Sequence, residues 1–132
     1  VLLKQYLQDY EEVYDYRNIE VTIDEQGVFK VKMNESLAVA LLTNLLKNAF
    51  VHNIDGGHIR ITITKNGITF RNSGVEHPLD KEHIFERFYQ GSKKEGSTGL
   101  GLAIADSICR LQHLNIKYYF EQNEHCFEIS QS

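Results

Sequence analysis

Asn44, Asn48 and His52 recur at i, i+4 and i+8, a spacing that lines up one stripe of a helix. The stripe runs beside an apolar face made of Leu41, Leu42, Leu45, Leu46 and Ala49. Asparagine inside a helix costs roughly 0.5–0.7 kcal/mol relative to alanine. A stripe turned only to water usually carries Glu, Lys and Arg instead. Two side-chain carbonyl oxygens one turn apart suit a hard cation such as Mg²⁺, which takes oxygen ligands, keeps several waters and is shared with substrate phosphates. A solvated polar stripe is the competing reading, and His52 fits a helix-end histidine equally well.

Two further clusters have the same double character. The strand-like run Ile68-Thr69-Phe70 stops at Asn72-Ser73-Gly74, which is either a turn or the end of a strand built to hold Asn72. In "GSTGLGLAI", Gly96, Gly99 and Gly101 surround the start of a helix. Glycines there let backbone N–H groups approach an anion that the helix dipole also favours. The order is G-x-x-G-x-G after a polar loop, not the G-x-G-x-x-G that follows a strand in dinucleotide folds, and no Gly-Lys-Ser/Thr occurs. The segment is therefore a phosphate cradle of another kind, or a flexible loop.

The elements that must carry these clusters follow from periodicity. Leu2, Leu3, Tyr6, Leu7 and Tyr10 predict an opening helix. "IEVTI" and "VFKVKM" alternate around Asp24-Glu25-Gln26-Gly27 and predict a hairpin. Asn34 is placed to cap a helix over "ESLAVALLTNLLKNAFVH". "HIRITITK" and "ITFR" predict two strands turned by Asn66-Gly67. "HIFERFY" fits a helical turn, "QGSKKEGSTG" a soft polar loop, and "LGLAIADSICRLQ" a third full helix. "IKYYFEQ" and "HCFEIS" close the chain as a hairpin. Three helices and about six strands, mostly joined by hairpins, predict an α+β domain: a two-layer α/β sandwich with helices on one face of a largely antiparallel sheet.

Composition narrows the classes. The 132 residues suffice for one domain with a real core, and 42% hydrophobic with 24% charged residues is ordinary globular chemistry. A net charge of −4 argues against duplex nucleic acid as a partner. No run is long enough for a membrane span, and no signal peptide is visible. Cys109 and Cys126 lack CxxC partners and read as free core thiols, which fits a reducing compartment. Starting at Val1, the chain is expected to be a piece of a longer protein.

Taken together, the segments are more specific than any one of them. "NLLKNAFVHN" resembles the N box of histidine kinases, "IFERFYQGS" their F box, and "GSTGLGLAIADSIC" their last glycine box. Order and spacing match over nearly the whole chain. The sequence thus resembles the catalytic, ATP-binding domain of a sensor histidine kinase, in the superfamily shared with gyrase, MutL and heat-shock chaperones. The resemblance implies the Bergerat-type ATP-binding fold over residues 1–132, with a mixed, mostly antiparallel sheet, three helices on one face and an ATP lid at about 75–98. It implies ATP and Mg²⁺ as ligands, with Asn48 the magnesium-binding residue and Asn44 one turn before it. His52 and Asn53 match polar positions near phosphate or ribose. Asn72 and Gly74 stand at the adenine site, and Gly96, Thr98, Gly99, Leu100, Gly101 and Leu102 form the phosphate cradle. Phe85 and Phe88 match the F-box aromatics at the lid's base, and Arg87 matches a position that reaches phosphate or a partner helix.

The implied activity is transfer of the γ-phosphoryl group to a histidine on a helical dimerisation domain, which this sequence lacks. None of His52, His58, His77, His83, His113 and His125 lies in an acceptor-like signature. Partners implied are that helical domain, a response regulator and a second copy in the full-length protein, the isolated domain being monomeric. The implied location is the cytoplasmic side of an inner-membrane-anchored bacterial sensor. At Asn44, ATP-hydrolysing relatives carry a Glu that activates water; Asn is no base, which favours phosphoryl transfer over hydrolysis. Three positions depart from the pattern. Asn72 replaces an Asp, so the adenine acceptor loses charge assistance, and an amide able to turn would accept either purine. Glu76 replaces a Gly. Gln90 replaces an Arg suited to the γ-phosphate, for which Lys93 and Lys94 are the available substitutes. The alternatives are a degenerate nucleotide-binding module that only regulates or binds partners, and a serine kinase of the anti-sigma type.

Overall fold

The structure is a computed structural model that describes residues 2–13, 15–76, 78–79, 83–86 and 100–131. The described elements are helix α1 (Leu2–Val13), a 3-10 turn (Asp15–Arg17), strand β1 (Glu20–Glu25), helix α2 (Glu35–Val51), strands β2 (His58–Thr64) and β3 (Gly67–Asn72), helix α3 (Gly101–Leu111), and strands β4 (Leu114–Glu121) and β5 (Glu124–Gln131). The strands form one sheet in the order β1-β2-β3-β5-β4. Only the β1–β2 pair among them is parallel. Three helices and a mixed sheet make the two-layer sandwich that the sequence predicted.

The core lies between the layers. Ile59 and Ile61 of β2, Phe70 of β3, and Phe127 and Ile129 of β5 meet Leu7 of α1, Leu41, Leu45, Leu46, Ala49 and Phe50 of α2, and Ala105, Ile108 and Cys109 of α3. Each fully buried aliphatic or aromatic side chain of this kind contributes roughly 1.5–3 kcal/mol. Cys109 and Cys126 are both buried free thiols, as expected. The opposite face of the sheet is polar. There Glu124, 7% exposed, accepts from Arg60 Nη2 at 2.8 Å and lies 2.7 Å from His58 Nε2.

The expected hairpin over residues 19–33 does not form. β1 instead runs parallel to β2 in the register Val21↔Ile59 and Ile23↔Ile61. The Gln26 N–H continues that ladder to the Ile63 carbonyl at 2.8 Å. Gly27 then passes against the β2–β3 turn, where a Cβ would lie 3.0 Å from Lys65 N. From there the chain crosses the end of the sheet, and Lys30 O accepts from Gln131 Nε2 of β5 at 3.2 Å. Phe29, Val31 and Met33 pack against the core without a ladder, so the alternation reported burial and not pairing.

The other hairpins hold, with one shift. Thr64 pairs with Gly67, so the turn residues are Lys65-Asn66 and Gly67 opens β3. Glycine is needed there because a Cβ would run into the Ile129 carbonyl of β5. In the β4–β5 turn, Gln122 (φ 54°) and Asn123 (φ 60°) both take the left-handed conformation that a type I′ turn requires.

Candidate nucleotide site

Asn34 starts α2 as expected, its side chain accepting from Ser36 N–H at 2.7 Å. The helix buries Leu41, Leu45, Leu46 and Ala49, and this face fixes where its polar stripe points. Asn44, Asn48 and His52 are half-buried along that stripe. Asn44 Nδ2 donates back to the Ala40 carbonyl at 2.6 Å, which commits its nitrogen and leaves Oδ1 directed outward. What Oδ1 meets is Gly101: a Cβ there would stand 3.1 Å from it. The start of α3 is therefore seated on the Asn stripe of α2. Leu100, at the N-cap of α3, brings no side-chain acceptor, and the first turn carries no acidic residue. The dipole of α3 favours negative charge at this end.

β3 delivers the third part. Strand alternation places Asn72 on the helix-facing side with Ile68 and Phe70, between Ile59 of β2 and His125 of β5. Asn72 is 2% exposed. Its Nδ2 donates to the Ser73 carbonyl at 2.8 Å. Its Oδ1 is buried and has no hydrogen-bond partner among the described residues. A buried acceptor without a donor costs roughly 1–3 kcal/mol. Because a carbonyl can only accept, the Asn72 amide is fixed with nitrogen toward Ser73. In this arrangement Asn72 is an oriented acceptor.

Gly74 then meets the end of α2. A Cβ at Gly74 would lie 2.9 Å from the His52 carbonyl and 3.1 Å from His125 Cδ2. The Asn72–Gly74 strand end and the start of α3 thus both meet α2, Gly74 at His52 and Gly101 at Asn44, while Leu102 packs against the core. Arg87, Phe88, Gln90, Lys93, Lys94, Gly96, Thr98 and Gly99 lie outside the described residues. Of the F box, Ile84 is buried and Phe85 packs edge-on against Phe127 at 6.3 Å, a core role.

Asn53 is a correction. It is 0% exposed, and every part of its amide is used internally. Nδ2 donates to the Ala49 and His58 carbonyls at 3.1 and 3.0 Å, while Oδ1 accepts from Ile54 N–H at 2.8 Å and from the Ser73 hydroxyl. Gly57 makes room, since a Cβ there would collide with both Asn53 Oδ1 and Ser73 Oγ. Asn53 therefore pins the Asn72–Ser73 strand end to the helix terminus and does not face a ligand. A polar residue just past a helix end reads as a surface position in sequence, where its bond to Ser73, 20 residues away, is not visible.

Two positioning residues escaped the sequence reading. Arg17 caps α2: its Nη1 donates to Phe50 O at 2.6 Å and Val51 O at 3.3 Å, Nη2 to Asn53 O at 2.6 Å, and Nε to Asp55 Oδ1 at 2.8 Å. His125 sits across the ladder from Asn72. Neither carries a local motif.

Residues 33–130 match the profile of the histidine kinase-, DNA gyrase B- and HSP90-like ATPase family. The chain belongs to this family. Among curated relatives of this ATPase domain, the sensor histidine kinase RppB of Synechocystis sp. is 44% identical over 84 residues, 57% of this chain and 18% of RppB. The heme sensor protein HssS of Staphylococcus aureus is 40% identical over 90 residues, 64% of this chain and 20% of HssS. The chain thus spans about a fifth of the length of these relatives. Among solved structures, the catalytic domain of histidine kinase ThkA superposes with a TM-score of 0.83 at 25% identity, covering 97% of this chain and 88% of ThkA's. The mycobacterial sensor histidine kinase MprB shares the fold, with a TM-score of 0.79 at 19% identity over 97% of this chain and 89% of its own. The ATPase domain described here is of the sensor-histidine-kinase catalytic type. No helix among its described residues is long and apolar enough to cross a membrane.

Proposed function

We propose that the convergence of the Asn stripe, the Asn72 strand end and the start of α3 is the ATP·Mg site from which the γ-phosphoryl group passes to a histidine on a separate helical dimerisation domain. The observation that carries this reading is the buried Oδ1 of Asn72, which has no partner among the described residues. It is an oriented acceptor that matches the amino group of adenine.

Asn72 would hold the base, with Gly74 giving the close approach behind it. Asn48 would ligate Mg²⁺ through its amide oxygen, and the first amides of α3 beyond Gly101 would face the phosphates. Bound Mg²⁺ would draw charge from the β- and γ-phosphates. Asn44, tied to Ala40 and seated against Gly101, holds the two helices in register and supplies no base. The site is thereby suited to positioning a phosphoryl group for attack by an imidazole nitrogen, with ADP leaving, and poorly suited to activating water. Because ThkA is known in complex with the response regulator TrrA, a response regulator is the downstream partner we propose. Dimerisation through the helical domain and anchoring in the membrane of a bacterial sensor belong to the same reading.

Calorimetric titration of the domain with a non-hydrolysable ATP analogue tests the site. Binding in the wild type should tighten with Mg²⁺, and Asn48→Ala should lose that tightening while keeping its unfolding transition. Equal affinities for wild type and variant in Mg²⁺ would overturn the metal assignment. With labelled ATP, acid-labile phosphate should appear only when the upstream helical domain is added. Binding without any such transfer would leave a regulatory nucleotide-binding module.

A further inference from the structure

We propose that His125, backed by Tyr118, is the positioning residue that sets purine selectivity at this site, by holding Asn72 with its oxygen toward the base. The inference rests on the proposed role of Asn72 in binding adenine.

The geometry forms a continuous chain. His125 is 4% exposed and directly opposes Asn72 in the β3–β5 register. Its Nε2 lies 2.7 Å from the Val75 carbonyl. A carbonyl only accepts, so Nε2 carries the hydrogen. In the neutral ring Nδ1 is then the acceptor, and it lies 2.7 Å from the Tyr118 hydroxyl, which donates to it. The same hydroxyl accepts from Leu79 N–H at 2.9 Å. Two backbone points on either side of Pro78, Val75 O and Leu79 N, are thus tied to β4 and β5 through two rings. The rings are themselves stacked, with centroids 5.9 Å apart and planes at 23°. Phe120 also packs against the histidine ring, with centroids 4.8 Å apart.

The His125 ring also abuts Gly74, where a Cβ would approach Nε2 to 3.3 Å. It therefore fixes the two residues that follow Ser73. The Ser73 carbonyl is what orients the Asn72 amide. With His125 holding Val75, the carbonyl stays in place and Asn72 presents an oxygen. Without it, the peptide after Ser73 can rotate and the Asn72 amide can turn to present its nitrogen. Adenine offers a donor at the contacted edge and guanine an acceptor, so amide orientation decides between them.

The test is the ratio of ATP to GTP affinity, a quantity that a purely structural role would not move. Wild type should prefer ATP analogue over GTP analogue by about tenfold or more. His125→Leu should bring the ratio close to one. His125→Gln, whose amide nitrogen can reach the Val75 carbonyl, should retain most of the preference. Tyr118→Phe, nearly isosteric, carries the test should His125→Leu not fold, and should narrow the ratio because the hydroxyl no longer sets the histidine tautomer. An unchanged preference in a folded His125→Leu or Tyr118→Phe variant would overturn the inference while leaving the site assignment standing. Wild type that binds neither nucleotide would overturn the site assignment and this inference with it.

Discussion

A methyl group on Gly101 would stand 3.1 Å from the side-chain oxygen of Asn44, although 56 residues separate the two in sequence. This close approach joins the helix that carries the asparagine stripe to the start of α3. It is too close for an ordinary Cβ contact, and Asn44 is not free to yield because its nitrogen is bonded to Ala40.

Gly101→Ala should therefore lower stability by about 1 kcal/mol, against the gain that alanine normally brings to a helix. In an Asn44→Ala background the same change should raise stability by about 0.5 kcal/mol, since the obstructing oxygen is gone. Urea unfolding of the four proteins of the cycle measures the sign reversal. The same sign in both backgrounds would show that the two residues do not meet.

Asn72 should separate binding from stability. Asn72→Leu removes an orphaned buried acceptor along with the bond to Ser73, so the melting temperature of the free domain should stay within about 3 °C of wild type. Affinity for ATP should nevertheless fall about tenfold. Asn72→Asp places a second oxygen where the amide nitrogen now lies 2.8 Å from the Ser73 carbonyl. Two opposed acceptors should destabilise the free domain by about 2 kcal/mol, while the charge tightens ATP binding by no more than about fivefold. Thermal melts and calorimetry on each variant read both quantities. A leucine variant that binds ATP as wild type does would make Asn72 a turn residue only.

Arg17 should matter to the site from outside it. Its guanidinium satisfies the carbonyls of Phe50, Val51 and Asn53 at the C-terminal end of α2, and its side chain is 11% exposed. Arg17→Ala should cost about 2–3 kcal/mol by stranding those carbonyls and removing a cation from the negative end of the helix dipole. Arg17→Lys should recover little, because a point charge does not reproduce the fork. Denaturant midpoints check both, with an unchanged slope expected.

The two cysteines should make stability fall at high pH. Burial pushes Cys109 from the ordinary thiol value of 9.0 up to about 11, helped by the Asp106 carboxylate. Burial does the same to Cys126, from 9.0 to about 11, partly opposed by Arg71. Since the folded values lie above the unfolded ones, the folded state holds these protons more tightly. The contribution is complete below about pH 9 and is lost as pH rises through about 11. A variant with both cysteines changed to alanine should show a shallower loss of stability over that range, and native wild type should resist thiol alkylation at pH 8. Rapid alkylation of the folded protein would place a thiol at the surface.

Local patterns carried most of the fold and the elements on which the proposed site rests. The i, i+4, i+8 spacing of Asn44, Asn48 and His52 put them on one helical stripe whatever the tertiary structure, because a helix has one period. The apolar face beside them determined that the stripe would border the core. The start of α3 and the strand end at Asn72 were legible for the same reason, since both depend on chemistry within a few residues. Pairing was not legible. The alternation in residues 28–33 was real, but whether those residues meet another strand depends on a turn that instead carries the chain across the sheet end. Hydrogen-bond commitment was equally hidden. Asn53 and Asn72 look alike in sequence, yet one has its whole amide consumed by Ala49, Ile54, His58 and Ser73 and the other keeps a buried oxygen without a partner. That difference draws on Ser73, 20 residues from Asn53; the Arg17 cap acts on carbonyls 33 to 36 residues away, and the His125–Tyr118 chain on Val75 and Leu79, 50 and 39 residues away. Only the packing of helix against sheet brings such groups within the 3 Å or so at which hydrogen bonds act.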